Sequence, residues 1–205
     1  MEGFSMNKVI TIGREFGSGG RELGRRLARE LGFDYYDKEI LSEISKHTSL
    51  SEEYVQRIVE NQPHQLYPIT TGRSFLYVDT QPLQQAGAVF LAQQEIIREM
   101  ADRSSCVIVG RCADHILRDR NPFRIFVYAD MASRIARCRA RAPEGENLTD
   151  KEYRQQIQQV DKARARYYDF YTDMKWGDKL SYDLCINTTN QDIQSIVPYL
   201  AKMFV

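Results

Sequence analysis

Apolar residues along this chain follow two rhythms. Lys8-Val9-Ile10-Thr11-Ile12, Cys106-Val107-Ile108-Val109-Gly110, Arg124-Ile125-Phe126-Val127-Tyr128 and Tyr182 to Ile186 are compact runs. Each is long enough for a buried strand and too short for a helix. Phe33-Asp34-Tyr35-Tyr36-Asp37 reads as a further strand. Between these runs the period becomes helical. Leu23, Leu27 and Leu31 recur at i, i+4 and i+8, with Arg21, Arg25 and Arg29 on another face and Gly32 as the stop. Glu39 to His47 is helical, and Ser49-Leu50-Ser51-Glu52 reads as a capping box that opens another helix. Leu83 to Arg103 predicts a long helix and Ala113 to Leu117 a short one. A helix from Met131 to Arg141 breaks at Ala142-Pro143-Glu144-Gly145, restarts at the capping box Thr149-Asp150-Lys151-Glu152 and runs to about Tyr168. The last helix contains Pro198, which predicts a kink. Residues 61–82 hold three prolines and no clear period, and predict a loop.

Strands that alternate with helices imply βαβ units. The expected fold is α/β, a doubly wound parallel sheet of about five strands in one domain spanning residues 1–205. A helical insert at about 48–95 and a helical lid hairpin at about 131–168 complete it. In such sheets ligands bind beyond the carboxyl ends of the strands, which points to the residues after Ile12, Tyr36, Val109 and Tyr128.

Composition narrows the classes. The 205 residues carry 28 Lys+Arg and 28 Asp+Glu, a net charge of zero, and 42% are hydrophobic. That is a globular chain rather than a disordered one, without the basic face a duplex-binding protein needs. No nucleic-acid partner is expected. No apolar run reaches the roughly 18–20 residues of a membrane span, and MEGFSMNK lacks the features of a secretory signal. Cys106, Cys112, Cys138 and Cys185 form no CxxC pair, which fits free thiols in the cytoplasm. The three histidines are scattered, and no metal ligand is assigned. The zero net charge conceals an asymmetry: residues 131–166 hold nine basic and five acidic residues, a local +4. Arg134, Arg137 and Arg141 share one helix face there, and the returning helix brings Arg164 and Arg166 to the same end. Phosphoryl transfer uses such clusters, because its catalysis is mainly positioning and electrostatic stabilisation.

The chemistry concentrates in Gly13-Arg14-Glu15-Phe16-Gly17-Ser18-Gly19-Gly20-Arg21-Glu22, between a strand and a helix. Glycines there let backbone N–H groups converge on an anion at the positive end of the helix. Gly13, Gly17, Ser18, Gly19, Gly20, Arg21 and Glu22 are the candidate cofactor-binding residues. The Walker pattern GxxxxGK[ST] is not met, since Gly20 stands at the lysine position and Arg21 where a small hydroxyl residue is usual. Arg14, Arg21 or Arg25 can supply the missing charge. A dinucleotide-binding turn is the rival reading. Gly13, Gly17 and Gly19 meet the GxxxGxG of short-chain dehydrogenases, Asp37 ends the second strand, and Tyr171-Thr172-Asp173-Met174-Lys175 meets YxxxK.

Together with Tyr35-Tyr36-Asp37-Lys38-Glu39-Ile40-Leu41, Val107-Ile108-Val109-Gly110-Arg111-Cys112-Ala113-Asp114, Asp161-Lys162-Ala163-Arg164-Ala165-Arg166-Tyr167 and Trp176-Gly177-Asp178, the glycine stretch resembles cytidylate kinase-like proteins, a branch of the P-loop nucleoside monophosphate kinases. The resemblance implies transfer of a phosphoryl group from ATP, with Mg2+, to a small-molecule nucleotide, CMP or dCMP. It implies that Asp37, Arg111 and Arg164 bind substrate and that Asp161 and Arg164 act at the phosphates. With Arg21, read from the glycine loop as a stand-in for the missing charge, these form the candidate catalytic set Arg21, Arg164 and Asp161. The chain departs from the pattern at Gly20, at Cys112 in place of an aspartate, at Ile157 in place of an arginine, and at Ser42 and Glu43 after the second strand. A P-loop nucleotide-binding or regulatory module with little catalysis is therefore the second reading.

Overall fold

The computed structural model describes residues 7–60 and 81–205. Its sheet has five strands, β1 (Val9–Arg14), β2 (Asp34–Tyr36), β3 (Cys106–Val109), β4 (Phe123–Tyr128) and β5 (Leu184–Asn187), all parallel in the order β2-β3-β1-β4-β5. The central strand β1 pairs Ile12 with Val109 on one side and with Ile125 on the other. Such strands are covered on both faces, which is why their sequences read as unbroken apolar runs rather than as alternation.

Side-chain alternation along β1 divides the core. Ile10 and Ile12 pack with Leu23, Leu27 and Ala28 of α1 (Gly20–Leu31) and with Ile193, Leu200 and Ala201 of α8 (Ile193–Ala201). Val9 faces the opposite layer, formed by α2 (Glu39–Thr48), α3 (Glu52–Glu60), α4 (Gln81–Arg103) and α5 (Ala113–Ile116), together with Tyr167 and Tyr168 of α7 (Asp150–Tyr171). A small third cluster of Ile135, Tyr153 and Ile157 joins α6 (Met131–Ala140) to α7 and takes in Phe16 of the glycine stretch. The hairpin of α6 and α7 thus has its own apolar seam, which meets the glycine turn at Phe16.

Several local expectations shift. Ser49 does not open α3: it ends α2 in the left-handed region at φ 55°, and the Ser51 hydroxyl accepts the Tyr54 N–H at 3.3 Å. Thr149 and Glu152 form the capping box of α7 as expected. The long helix α4 begins at Gln81 rather than Leu83, so the last two residues of the loop expected over 61–82 are helical, and its residues 61–80 lie outside the described residues. Strand β5 starts at Leu184, later than Tyr182; just before it the Asp183 carboxylate pairs with Arg124 (Nη2 to Oδ1, 2.8 Å). Pro198 lies inside α8.

The dehydrogenase reading fails on topology. A dinucleotide-binding sheet places β2 beside β1, whereas β3 lies between them in this sheet. Tyr171 is also committed to packing, stacked on Phe90 with ring centroids 3.9 Å apart. Among the described residues no helix is long and apolar enough to cross a membrane.

Candidate functional site

A cavity of about 430 Å³ opens at the carboxyl ends of β1 and β3. Thr11, Arg14 and Phe16 line it from β1 and the turn that follows, Lys38 from the start of α2, and Arg111, Cys112 and Asp114 from the segment after β3. Arg164, Tyr167 and Tyr168 reach it from α7, and Trp176 and Tyr182 close one wall. Five cationic side chains, Arg14, Arg21, Lys38, Arg111 and Arg164, therefore border one space.

Asp37 is the carboxylate in their midst. It is 4% exposed, with Oδ2 2.6 Å from Arg21 Nε and Oδ1 3.9 Å from Arg14 Nη2. Burial, followed by the charge of Arg164, pushes the Arg14 guanidinium well below its ordinary value, against the pull of Asp37. Arginine does not deprotonate in proteins, so the shift marks a buried guanidinium whose charge Asp37 only partly offsets. The Thr11 Oγ1 is also buried and has no hydrogen-bond partner among the described residues. A site with excess cationic charge, an open hydroxyl and aromatic walls suits a polar anionic ligand.

The segment after β3 holds its geometry against local preference. Gly110, Arg111 and Cys112 have φ of 75°, 59° and 53°, and non-glycine residues in this region cost of order 1–3 kcal/mol each. The buried Gln93 of α4 supports them: its Nε2 donates to Arg111 O at 2.9 Å, and its Oε1 accepts the Tyr167 hydroxyl at 3.4 Å. The cost delivers Arg111 to the cavity. Asp114, two residues past the Cys112 position, also lines the cavity and accepts the Tyr168 hydroxyl at 2.7 Å. Its burial raises the carboxyl pKa.

The glycine turn lies beside this cavity. Gly17 and Gly19 adopt φ of 77° and 84°, so both need glycine. No side chain caps α1, and among the described residues the N–H groups of Gly19, Gly20 and Arg21 have no backbone acceptor. These open amides at a helix start suit an anion. Ser18 is buried, and its carbonyl accepts Thr188 Oγ1 at 2.7 Å. Gly13 is packed under Phe126 and Tyr182, where a Cβ would come within 2.9 Å of Phe126. Glu22 pairs with Arg26 and Arg141 on the outer side of α1.

Asp161 stands away from the cavity lining and grips the turn instead. Its Oδ1 accepts the Phe16 N–H at 2.7 Å, and its other oxygen pairs with Arg134. Arg134 in turn donates to Phe16 O at 2.7 Å and pairs with Glu15 at 3.2 Å. Of the basic cluster on the hairpin, Arg134, Arg137 and Arg141 all turn onto the glycine stretch or its surroundings, and Arg164 is the one that lines the cavity. Arg164 donates to Arg14 O at 3.2 Å and lies over the Phe16 ring.

Sequence reasoning gave no role to Thr11, Lys38 or Gln93, and treated Arg14 as one of three possible charges. A usable signal existed for Arg14, the last residue of a strand that ends at the loop. Gln93 carried none, because a polar residue within a helix does not announce a buried partner. The triphosphate of ATP fits the open amides and the cations. Magnesium finds less: the described residues contain no group of three or more His, Cys, Asp or Glu side chains placed to hold a metal, and Arg21 follows the loop where a hydroxyl would serve. Any such ion would come with the nucleotide, and the described residues define no seat for it.

A sequence profile described as the cytidylate kinase-like family matches residues 9–190. No curated protein matches the chain. Among solved structures, an uncharacterized protein from Eubacterium ventriosum superposes with a TM-score of 0.68 at 28% identity, covering 96% of this chain and 98% of that one. Shikimate kinase from Bacteroides thetaiotaomicron superposes with a TM-score of 0.57 at 16% identity, covering 96% and 98%. TT1252 from Thermus thermophilus gives 0.53 at 16% identity, covering 97% and 99%. The last two are likenesses of fold alone, a parallel α/β sheet with flanking helices.

Proposed function

The chain belongs to the cytidylate kinase-like family, and from that premise we propose that it transfers a phosphoryl group from ATP, supplied with Mg2+, to a pyrimidine nucleoside monophosphate, CMP or dCMP. The observation that carries this reading is the cavity bordered by Arg14, Arg21, Lys38, Arg111 and Arg164 next to a helix start with open amides. Donor phosphates belong on Gly17 to Arg21, and the acceptor belongs in the cavity. Arg111 binds the acceptor phosphate, and Asp37, held by Arg21, orients the acceptor. Arg164 reaches the transferring group, where charge spreads over equatorial oxygens. Asp161 acts on the turn that holds the donor phosphates. The four cysteines are free, which suits the reducing cytoplasm.

The test is ADP release from ATP and Mg2+ with CMP, dCMP and UMP offered separately. Turnover is expected with at least one, and Arg164→Met should lower kcat/KM about 10²- to 10³-fold, as loss of a charge-stabilising donor does. Absence of ADP release with all three overturns the reading. The observation that Gly20 replaces the loop lysine favours a second reading, a nucleotide-binding regulatory module. That reading gives nucleotide binding by calorimetry without turnover.

A further inference from the structure

Position 20, where a P-loop ordinarily carries lysine, is closed to any side chain. A Cβ built on Gly20 would lie 2.6 Å from Arg14 Cβ, 3.2 Å from Arg14 Cγ and 3.2 Å from Val127 Cβ. The path along which a residue-20 side chain would leave α1 is thus filled by the stem of Arg14. Its far end meets a second glycine: a Cβ on Gly110 would overlap Arg14 Nη1 and lie 2.8 Å from Cζ. Two glycines on separate elements therefore flank one arginine, which runs from the end of β1 across the mouth of β3.

That arginine is held but not neutralised. Val127 of β4 is its register partner, and its carbonyl accepts Arg164 Nη1 at 3.2 Å. The side chain is 14% exposed, its guanidinium makes no hydrogen bond among the described residues, and its ion pair with Asp37 is long at 3.9 Å. The nearer oxygen contact of Asp37, at 2.6 Å, goes to Arg21, which is 54% exposed. Arg14 therefore presents a largely buried, hydrogen-bond-ready fork to the cavity.

We propose that Arg14 supplies, from strand β1, the phosphate-binding cation that a P-loop otherwise takes from a lysine at position 20. The proposal rests on the phosphotransferase reading and assigns the ligand class: the terminal phosphates of a nucleoside triphosphate, taken by a planar fork able to bridge two oxygens. It also accounts for Gly20, since a lysine there and Arg14 would compete for one volume.

Calorimetric titration of the full chain with AMP-PNP and Mg2+, and separately with AMP, tests it. Arg14→Met should weaken AMP-PNP binding about 10- to 100-fold, as loss of a charge-assisted hydrogen bond does, and AMP binding less than about threefold, since AMP lacks the terminal phosphates. Arg29→Met, exposed near the end of α1, should match the wild type. Arg14→Gln keeps a polar side chain without charge and must show the same selective loss, which covers the case in which the Met variant does not fold. Unchanged AMP-PNP binding in either neutral variant overturns the assignment, and so does a larger loss in Arg21→Met. Failure of the wild type to bind AMP-PNP would instead overturn the phosphotransferase reading, and the assignment with it.

Discussion

Asp114 acquires its character from where it is buried. Burial raises its carboxyl pKa, and the hydrogen bond from the Tyr168 hydroxyl partly opposes that rise. A folded-state pKa above the unfolded value means the native protein binds the proton more tightly. The associated stability is complete below the ordinary aspartate value of about 3.9 and is lost as pH rises through the folded value. Asp114→Asn keeps an oxygen to accept from Tyr168 and removes the buried charge. The variant should equal or exceed the wild type in stability at pH 7, with the difference shrinking towards pH 4, as measured by denaturant unfolding at each pH. A variant less stable than the wild type at pH 7 would show instead that the ionised form is the one the fold requires. Spacing located an acid near the third strand; the left-handed run Gly110 to Cys112 sets the path that brings residue 114 to the cavity, while Cys112, 4% exposed, joins the core at the cavity wall.

At the scale of elements, α6 and α7 were legible as a basic, Pro-Gly-broken hairpin, but the direction of its arginines was not. Periodicity puts Arg134, Arg137 and Arg141 on one face; it cannot say that this face meets the glycine turn. The hairpin clamps the turn through Arg134, which is 5% exposed and touches Phe16 O, Glu15 and Asp161. Removing one partner of a buried ion pair leaves the other uncompensated and costs about 3–5 kcal/mol. Arg134→Ala should therefore lower stability by about that amount and Tm by roughly 6–20 °C, at the 2–4 °C per kcal/mol of a chain this size. Amide exchange at residues 15–19 should accelerate at the same time. A loss below about 1 kcal/mol would mean that the clamp contributes little to holding the turn.

Over the whole molecule, zero net charge coexists with a concentration of cations at one cavity, where Arg14, Arg111 and Arg164 are partly or largely buried and Arg21 and Lys38 are exposed. A ligand that binds only the folded state stabilises it by about 2.7 kcal/mol at 100 times its Kd, a rise in Tm of roughly 5–11 °C. AMP-PNP should produce such a rise in thermal unfolding. Because buried charges are screened much less than exposed ones, most of the rise should survive 0.5 M NaCl. A shift abolished by salt would place the binding on exposed arginines such as Arg139 or Arg141 rather than in the cavity.

The sequence by itself determined the parallel α/β order, the strand-turn-helix around Gly13 to Gly20 and the capping box at Thr149, because unbroken apolar runs, glycine density and cap spacing act within a few residues of themselves. The tertiary structure decided what depends on neighbours distant in the chain. It placed β3 between β1 and β2, turned the hairpin arginines onto the loop and set Gln93 under Arg111. It also ran Arg14 between two glycines 90 positions apart in the chain. Each of these follows from competition for one volume or one hydrogen-bond partner, which local pattern does not encode. The glycine at position 20 was legible from the start as a missing lysine; only the packed structure shows that an arginine already occupies its room.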